Sequence, residues 1–173
     1  MTKPYPDTEV LLEALIDAVR GNIKPDTGII GIHTGGVWVA ERLHAALGVD
    51  VPMGTIDIAF YRDDYGQRGL HDSVKPSEIP FDVNERDIVL VDDVLFTGRT
   101  VRAAMNELFD YGRPGCVMLA ALIDRGGRQL PIEPRFIGST LDVPDDKLVS
   151  LEREEGGALH LSTKPRPSVK KQS

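Results

Sequence analysis

The chain has 173 residues, 41% of them hydrophobic, a formal net charge of -7 at pH 7 and one cysteine, Cys116. That length suits a single domain, which at this size buries about 70% of the surface its unfolded chain exposes. A lone cysteine excludes an intrachain disulfide framework, the acidic balance excludes a global positive field for polyanions, and no run of about 18 apolar residues offers a membrane span. Residues 1–7 carry no apolar leader core, so a soluble cytoplasmic protein is expected.

In chain order, Leu11, Leu12, Leu15, Ile16 and Val19 recur at helical spacing behind Asp7 or Thr8 as a cap, which predicts an amphipathic helix over Thr8 to Arg20. Gly28 to His33 is short, β-branched and apolar, and reads as a strand ending in the loop Thr34-Gly35-Gly36. Val37 to Leu47 resumes helical spacing, with Gly48 placed to stop it in a left-handed conformation. Thr55 to Tyr61 alternates as a strand does. Arg62 to Pro80 has neither period and holds Gly66, Gly69, Pro76 and Pro80; a loop of that length in a compact domain is expected to be a lid or binding loop.

Asp87 to Val91 is the continuous apolar run of a central parallel strand and ends in Asp92-Asp93. Arg99 to Tyr111 reads as a helix closed by Gly112 and Pro114, and Cys116 to Ile123 as a further buried strand, a βαβ succession over a parallel sheet. Beyond Asp124 only short segments, Arg135 to Ser139 and Lys147 to Leu151, suggest strands. Lys164 to Ser173 combines Pro165, Pro167 and four cations with almost nothing to bury, so a disordered basic tail is expected, whose removal after Thr163 changes little. The fold class predicted is α/β, one domain spanning residues 1–163 with a parallel core sheet flanked by helices, and no second domain or internal repeat.

In open α/β sheets ligands bind beyond the carboxyl ends of the strands, so the loops after Val91, His33, Tyr61 and Asp124 should converge. The most specific segment is Asp92-Asp93-Val94-Leu95-Phe96-Thr97-Gly98-Arg99-Thr100. Thr97 to Thr100 sits where a helix begins, offering hydroxyls and free backbone N–H groups to a phosphate at the positive end of the helix dipole. The two carboxylates upstream suit ribose hydroxyls or a water-held Mg²⁺. Acidic residues end strands and threonines cap helices routinely, but the joint pattern favours a phosphorylated ribose. Neither a G-x-x-x-x-G-K-[ST] nor a G-x-G-x-x-G motif occurs, which removes the P-loop and dinucleotide-binding readings. His33, His44, His71 and His160 show no metal-ligand spacing; His33 reads as a packed or hydrogen-bonded residue, and Trp38 and Tyr111 as core or helix-face residues.

The segment from Asp92 to Thr100 resembles the 5-phosphoribosyl-1-pyrophosphate signature of the type I phosphoribosyltransferases. With Tyr61-Arg62-Asp63-Asp64, Val89 to Arg102, and Leu122 to Gly126 followed by Arg128, Leu130 and Pro131, the chain resembles the PyrR-like family of bifunctional pyrimidine operon regulators and uracil phosphoribosyltransferases over about Ile29 to Gly138. The resemblance implies a type I phosphoribosyltransferase fold with a small hood, built from the N-terminal helix and the segment after Asp124, that chooses the base. It implies that Asp92 and Asp93 hold the ribose hydroxyls, that Thr97, Gly98, Arg99 and Thr100 take the 5-phosphate, that Thr34, Gly35 and Gly36 form the pyrophosphate loop, and that Asp124 and Arg125 stand beside the base. Many relatives have arginine where this chain has Gly35, so a side-chain contact to pyrophosphate is absent or comes from Arg62. Arg62, Asp63 and Asp64 are the candidate closing residues, Arg62 with a catalytic part.

The expected reaction joins uracil to 5-phosphoribosyl-1-pyrophosphate with Mg²⁺, giving UMP and pyrophosphate, in a homo-oligomer. The alternatives are a UMP-sensing, RNA-binding attenuation regulator with little catalysis, and a purine phosphoribosyltransferase. Relatives known for attenuation carry cations where this chain has Glu133 and Ser139, and only Arg128 of that set remains, so binding of a pyrimidine-gene transcript is expected to be weak.

Overall fold

The computed structural model describes residues 5–58 and 77–167. Helix α1 (Thr8–Val19) leads into strand β1 (Gly28–Ile32), α2 (Gly35–Leu47), β2 (Gly54–Ile56), β3 (Asp87–Leu95), α3 (Arg99–Asp110), β4 (Cys116–Asp124), β5 (Phe136–Thr140), β6 (Lys147–Arg153) and β7 (Leu159–Pro165). Five strands form one parallel sheet in the order β2-β1-β3-β4-β5, and β6 and β7 form a separate antiparallel hairpin. Because successive strand residues face opposite sides, β3 sends Val89 and Val91 into a core shared with Leu11, Leu15, Val39 and Leu43 of α1 and α2. Ile88 and Leu90 enter the other core, with Val101, Ala104 and Leu108 of α3. The sheet is therefore covered on both faces, as parallel sheets require.

The α1 N-terminus is capped by Asp7, whose carboxylate accepts the Glu9 N–H at 2.9 Å. Gly48 ends α2 at φ 60°, the left-handed turn expected of it. Two expected strand ends move. β2 stops at Ile56, while β3 runs on through Asp92, Asp93, Val94 and Leu95, held in register by β4. Since the last β3 partner of β1 is Val91, opposite Gly31, these four residues extend past β1 and stand over the carboxyl end of the sheet.

Three expectations are corrected. Helix α1 belongs to the core layer, its apolar stripe packed with Phe136 and Leu122, and not to the hood, which is the β6–β7 hairpin. Cys116, at the first position of β4, is exposed. The end of the fold expected at Thr163 falls inside β7: Lys164 and Pro165 pair with Leu148 and Lys147, and the Arg166 N–H donates to the Asp146 carbonyl at 2.6 Å.

Residues 62–64, proposed as lid contacts, lie outside the described residues, as does Tyr61. Where the chain is again described, Ser77 is tied down: its hydroxyl accepts the Asp57 N–H at 3.1 Å and donates to Glu107 on α3. The Tyr111 hydroxyl donates to the Ser77 carbonyl at 3.2 Å. Among the described residues no helix is long and apolar enough to cross a membrane.

Candidate functional site

A cavity of about 450 Å³ opens at the carboxyl ends of β1, β3 and β4, with the hairpin on its far side. That is an ordinary size for a small-molecule site. Asp92, Asp93, Val94 and Phe96 reach it from β3 and the following loop, Thr34 and Gly35 from the end of β1, Thr100 from α3 and Arg125 from the loop after β4.

Both acids are buried, Asp92 at 3% and Asp93 at 7% exposure, so their orientation is fixed by neighbours rather than by solvent. Asp92 accepts the Asp93 N–H and Asp93 accepts the Val94 N–H, each at 2.9 Å. Asp93 presses its second carboxylate oxygen against Gly35 so closely that a Cβ there would overlap it. Gly36 in turn lies against the β3 backbone, where a Cβ would stand 2.5 Å from the Val91 carbonyl oxygen. The glycines let the first turn of α2 sit directly on the end of β3. They bring the acid pair and the Thr34 loop to one wall.

Helix α3 meets the cavity at its first turn, through Thr100. Gly98 takes φ 94° at its N-cap, a conformation open to glycine, and has no side chain of its own to cap the helix. Its first turn holds no acid, so no carboxylate of α3 opposes the dipole at the end where Thr100 meets the cavity. Thr97 is buried; its hydroxyl accepts the Arg99 N–H at 3.2 Å, and its carbonyl accepts from Gln129 and Leu130 at 2.9 and 3.2 Å. Arg128 donates to the Phe96 carbonyl at 2.8 Å, and Arg99 to the Gln129 side chain at 3.1 Å. The loop is thus stapled to residues 128–130 by the protein's own hydrogen bonds, a preorganised geometry.

Arg125 is 9% exposed; its guanidinium lies 4.1 Å from the centre of the Phe96 ring and donates to the carbonyls of Lys147, Val143 and Pro144, tying the hood to the sheet.

The matching family model is the phosphoribosyl transferase domain, over residues 8–148. The protein named Bifunctional protein PyrR from Pseudomonas paraeruginosa is 56% identical over 134 residues, covering 78% of each chain. The protein of the same name from Pseudomonas syringae pv. syringae is 52% identical over 160 residues, covering 90% of this chain and 94% of its own. The chain is a type I phosphoribosyltransferase of the PyrR family. The fold agrees: a hypoxanthine-guanine phosphoribosyltransferase crystal structure from Bacillus anthracis superposes with a TM-score of 0.64 at 15% identity, covering 82% of this chain and 85% of that one.

In this phosphoribosyltransferase the structure gathers Asp92, Asp93, Val94, Phe96, Thr100, Thr34, Gly35 and Arg125 around one cavity. The other described candidates do not line it, Arg99 being exposed with its side chain turned to Gln129. Leu95 is buried in the core shared with α3, and Gly36, Thr97 and Gly98 shape backbone. Asp124 accepts the Gly126 N–H at 2.9 Å and pairs with Arg128 at 2.7 Å. Sequence reasoning missed that Trp38 lines the cavity; it expected a hood from the segment after Asp124 but named none of the residues that this segment brings to the cavity, Leu148 to Leu151 with Lys164, Pro165 and Pro167. Trp38 was findable: it follows Gly35 by three residues on a helix, which returns it to the same face. No pattern near residue 164 signals the cavity.

Proposed function

We propose that this phosphoribosyltransferase joins uracil to 5-phosphoribosyl-1-pyrophosphate, releasing UMP and pyrophosphate. The observation that carries the reading is the buried pair Asp92 and Asp93 facing one cavity with Thr100 on the first turn of α3. A ribose 5-phosphate spans those two features, its hydroxyls on the carboxylates and its phosphate on the α3 amides, Thr100 included. Thr34 and Gly35, which line the same cavity, then stand on the pyrophosphate side, where backbone amides of a loop can meet the leaving group.

In the transfer the bond between ribose C1 and the pyrophosphate oxygen breaks, a bond from C1 to uracil N1 forms, and the N1 proton passes to pyrophosphate or water. Positive charge grows on the sugar as the bond breaks, and the adjacent carboxylates of Asp92 and Asp93 stabilise it without reorganising. Mg²⁺ fits here as a companion of the substrate: the buried carboxylates would hold it, and its charge would offset that of pyrophosphate. Among the described residues no cluster of three or more His, Cys, Asp or Glu side chains is arranged to hold a metal by itself.

Support for a pyrimidine comes from the relatives' name, PyrR; the purine enzymes among the structural neighbours share the fold at 15% identity. Transcript binding has less support. Arg128 has its guanidinium committed to Asp124 and the Phe96 carbonyl, and the chain carries a net charge of -7. Turnover of radiolabelled uracil, hypoxanthine, guanine, adenine and orotate with Mg²⁺ tests the reading. Uracil should react; a purine reacting while uracil does not would overturn it.

A further inference from the structure

Strand β6 is fastened at both ends by an arginine set against an aromatic ring that borders the cavity. At its start, Arg125 covers Phe96 and holds the Lys147 carbonyl; at its end, the guanidinium of Arg153 stands 5.0 Å from the centre of the Trp38 ring on α2. We propose that Arg153 is a positioning residue of the transfer site: without lining the cavity itself, it fixes the Trp38 ring and thereby the shape of the cavity beside Gly35. The proposal rests on the transfer reaction above, with Thr34 and Gly35 on the pyrophosphate side.

The contact follows from the periods of the two elements. Trp38 comes three residues after Gly35 and Glu41 three after Trp38, so they follow one another along α2. Gly35 and Trp38 line the cavity. On β6, Leu151 and Arg153 point to the same side. Leu151 is buried in the core against which Trp38 packs, and that carries Arg153 onto the indole. There Arg153 also pairs with Glu41 at 3.2 Å. The ring is thus held by the core and by one guanidinium, whose own place is set by the ion pair.

The two ends of β6 differ in strength. Arg125 is buried and donates to three carbonyls, those of Lys147, Val143 and Pro144. The side chains of Arg153 and Glu41 are 43% and 48% exposed. An exposed cation–π contact and an exposed ion pair together shift an equilibrium by a factor of about two to five. That is too little to decide the fold of a hairpin secured by Val149, Leu151 and Leu159 in the core, and enough to bias the rotamers of one half-buried tryptophan. Arg153 therefore acts on the site and hardly on stability.

The test uses the chain's one tryptophan as its reporter. Acrylamide quenching of Trp38 fluorescence is compared in the full chain, Arg153→Ala and Arg153→Lys. Calorimetry with Mg²⁺ gives the affinities of these chains, of Trp38→Leu and of the double variant for 5-phosphoribosyl-1-pyrophosphate and for UMP, which lacks the pyrophosphate. Arg153→Ala should raise the quenching constant and weaken 5-phosphoribosyl-1-pyrophosphate about two- to fivefold, with UMP affinity within about twofold and the melting temperature within about 2 °C. Arg153→Lys keeps the charge but loses the planar stack and should fall between Ala and Arg. In the Trp38→Leu background Arg153→Ala should add nothing, because its effect runs through the ring. Unaltered quenching in Arg153→Ala, unchanged affinity for 5-phosphoribosyl-1-pyrophosphate, equal weakening of both ligands, or a full effect without the tryptophan overturns the proposal. A full chain that does not bind 5-phosphoribosyl-1-pyrophosphate overturns the transfer reading instead; the quenching comparison then decides alone, a raised constant upholding the fixing of the ring and an equal one sinking it.

Discussion

The two sides of the cavity are held by different physics. On the sheet side, Asp92 and Asp93 ride on β3 between two apolar cores, and loop carbonyls and amides fix the turn that leads into α3. On the hairpin side, Val149, Leu151 and Leu159 supply the buried contacts, while the other face is a row of polar groups. There Ser162 donates to Glu152 at 2.7 Å, Lys164 pairs with Glu152 at 2.8 Å, and His160 stands 3.4 Å from the same carboxylate. Burial resists pH and salt, whereas half-exposed ion pairs are screened and titrate. The sheet side should therefore behave as a rigid template for the common substrate, and the hairpin side as an adjustable wall.

The strongest break of this contrast is at the acids. Asp92→Asn with Asp93→Asn keeps side-chain volume and should leave a folded protein, yet lower kcat/KM about a hundredfold or more, by steady-state kinetics beside a melting curve. Near-normal activity would remove the ribose role. Gly35→Ala comes next. A Cβ there displaces the Asp93 carboxylate, so activity should fall about tenfold or more while stability drops only about 1–3 kcal/mol. Thr100→Val should weaken binding of 5-phosphoribosyl-1-pyrophosphate about three- to tenfold by calorimetry, the loss of one hydrogen bond to a charged group, with the uracil KM little altered.

The smallest effect sharpens the hairpin side. The hydrogen bond from Lys164, then that from Ser162, holds the Glu152 carboxyl down at about 2, against an ordinary 4.5. A carboxylate depressed on folding contributes stability above its unfolded value and loses it as pH falls toward the folded one, so the hairpin should loosen between about 4.5 and 2. Lys164→Met removes the largest cause. Carboxyl chemical shifts followed through an acid titration should show Glu152 moving up toward its ordinary value; an unmoved midpoint would show that the ion pair is not what orders this edge.

The sheet side was legible because its determinants are local. Apolar runs at Asp87 to Val91 and Cys116 to Ile123 declare central strands, and Thr97 to Thr100 declares a helix start. The extension of β3 through Asp92 and Asp93 was not, since polar residues ordinarily end a strand and only pairing with β4 carries them on. β7 escaped notice because Lys164 and Pro165 look like tail composition; their order comes from register with Leu148 and Lys147, a long-range pairing that composition does not encode. Trp38, expected as a core or helix-face residue, borders both the core and the cavity.

The central claim, that the Asp92 to Thr100 turn transfers phosphoribosyl to uracil, is tested most directly by one measurement. Radiolabelled uracil is incubated with 5-phosphoribosyl-1-pyrophosphate and Mg²⁺ on the full chain and on the folded Asp92→Asn, Asp93→Asn variant, and labelled UMP is counted. The account predicts UMP from the full chain and at most about a hundredth as much from the variant. Equal UMP from the two, or none from the full chain while a purine is converted, would contradict it.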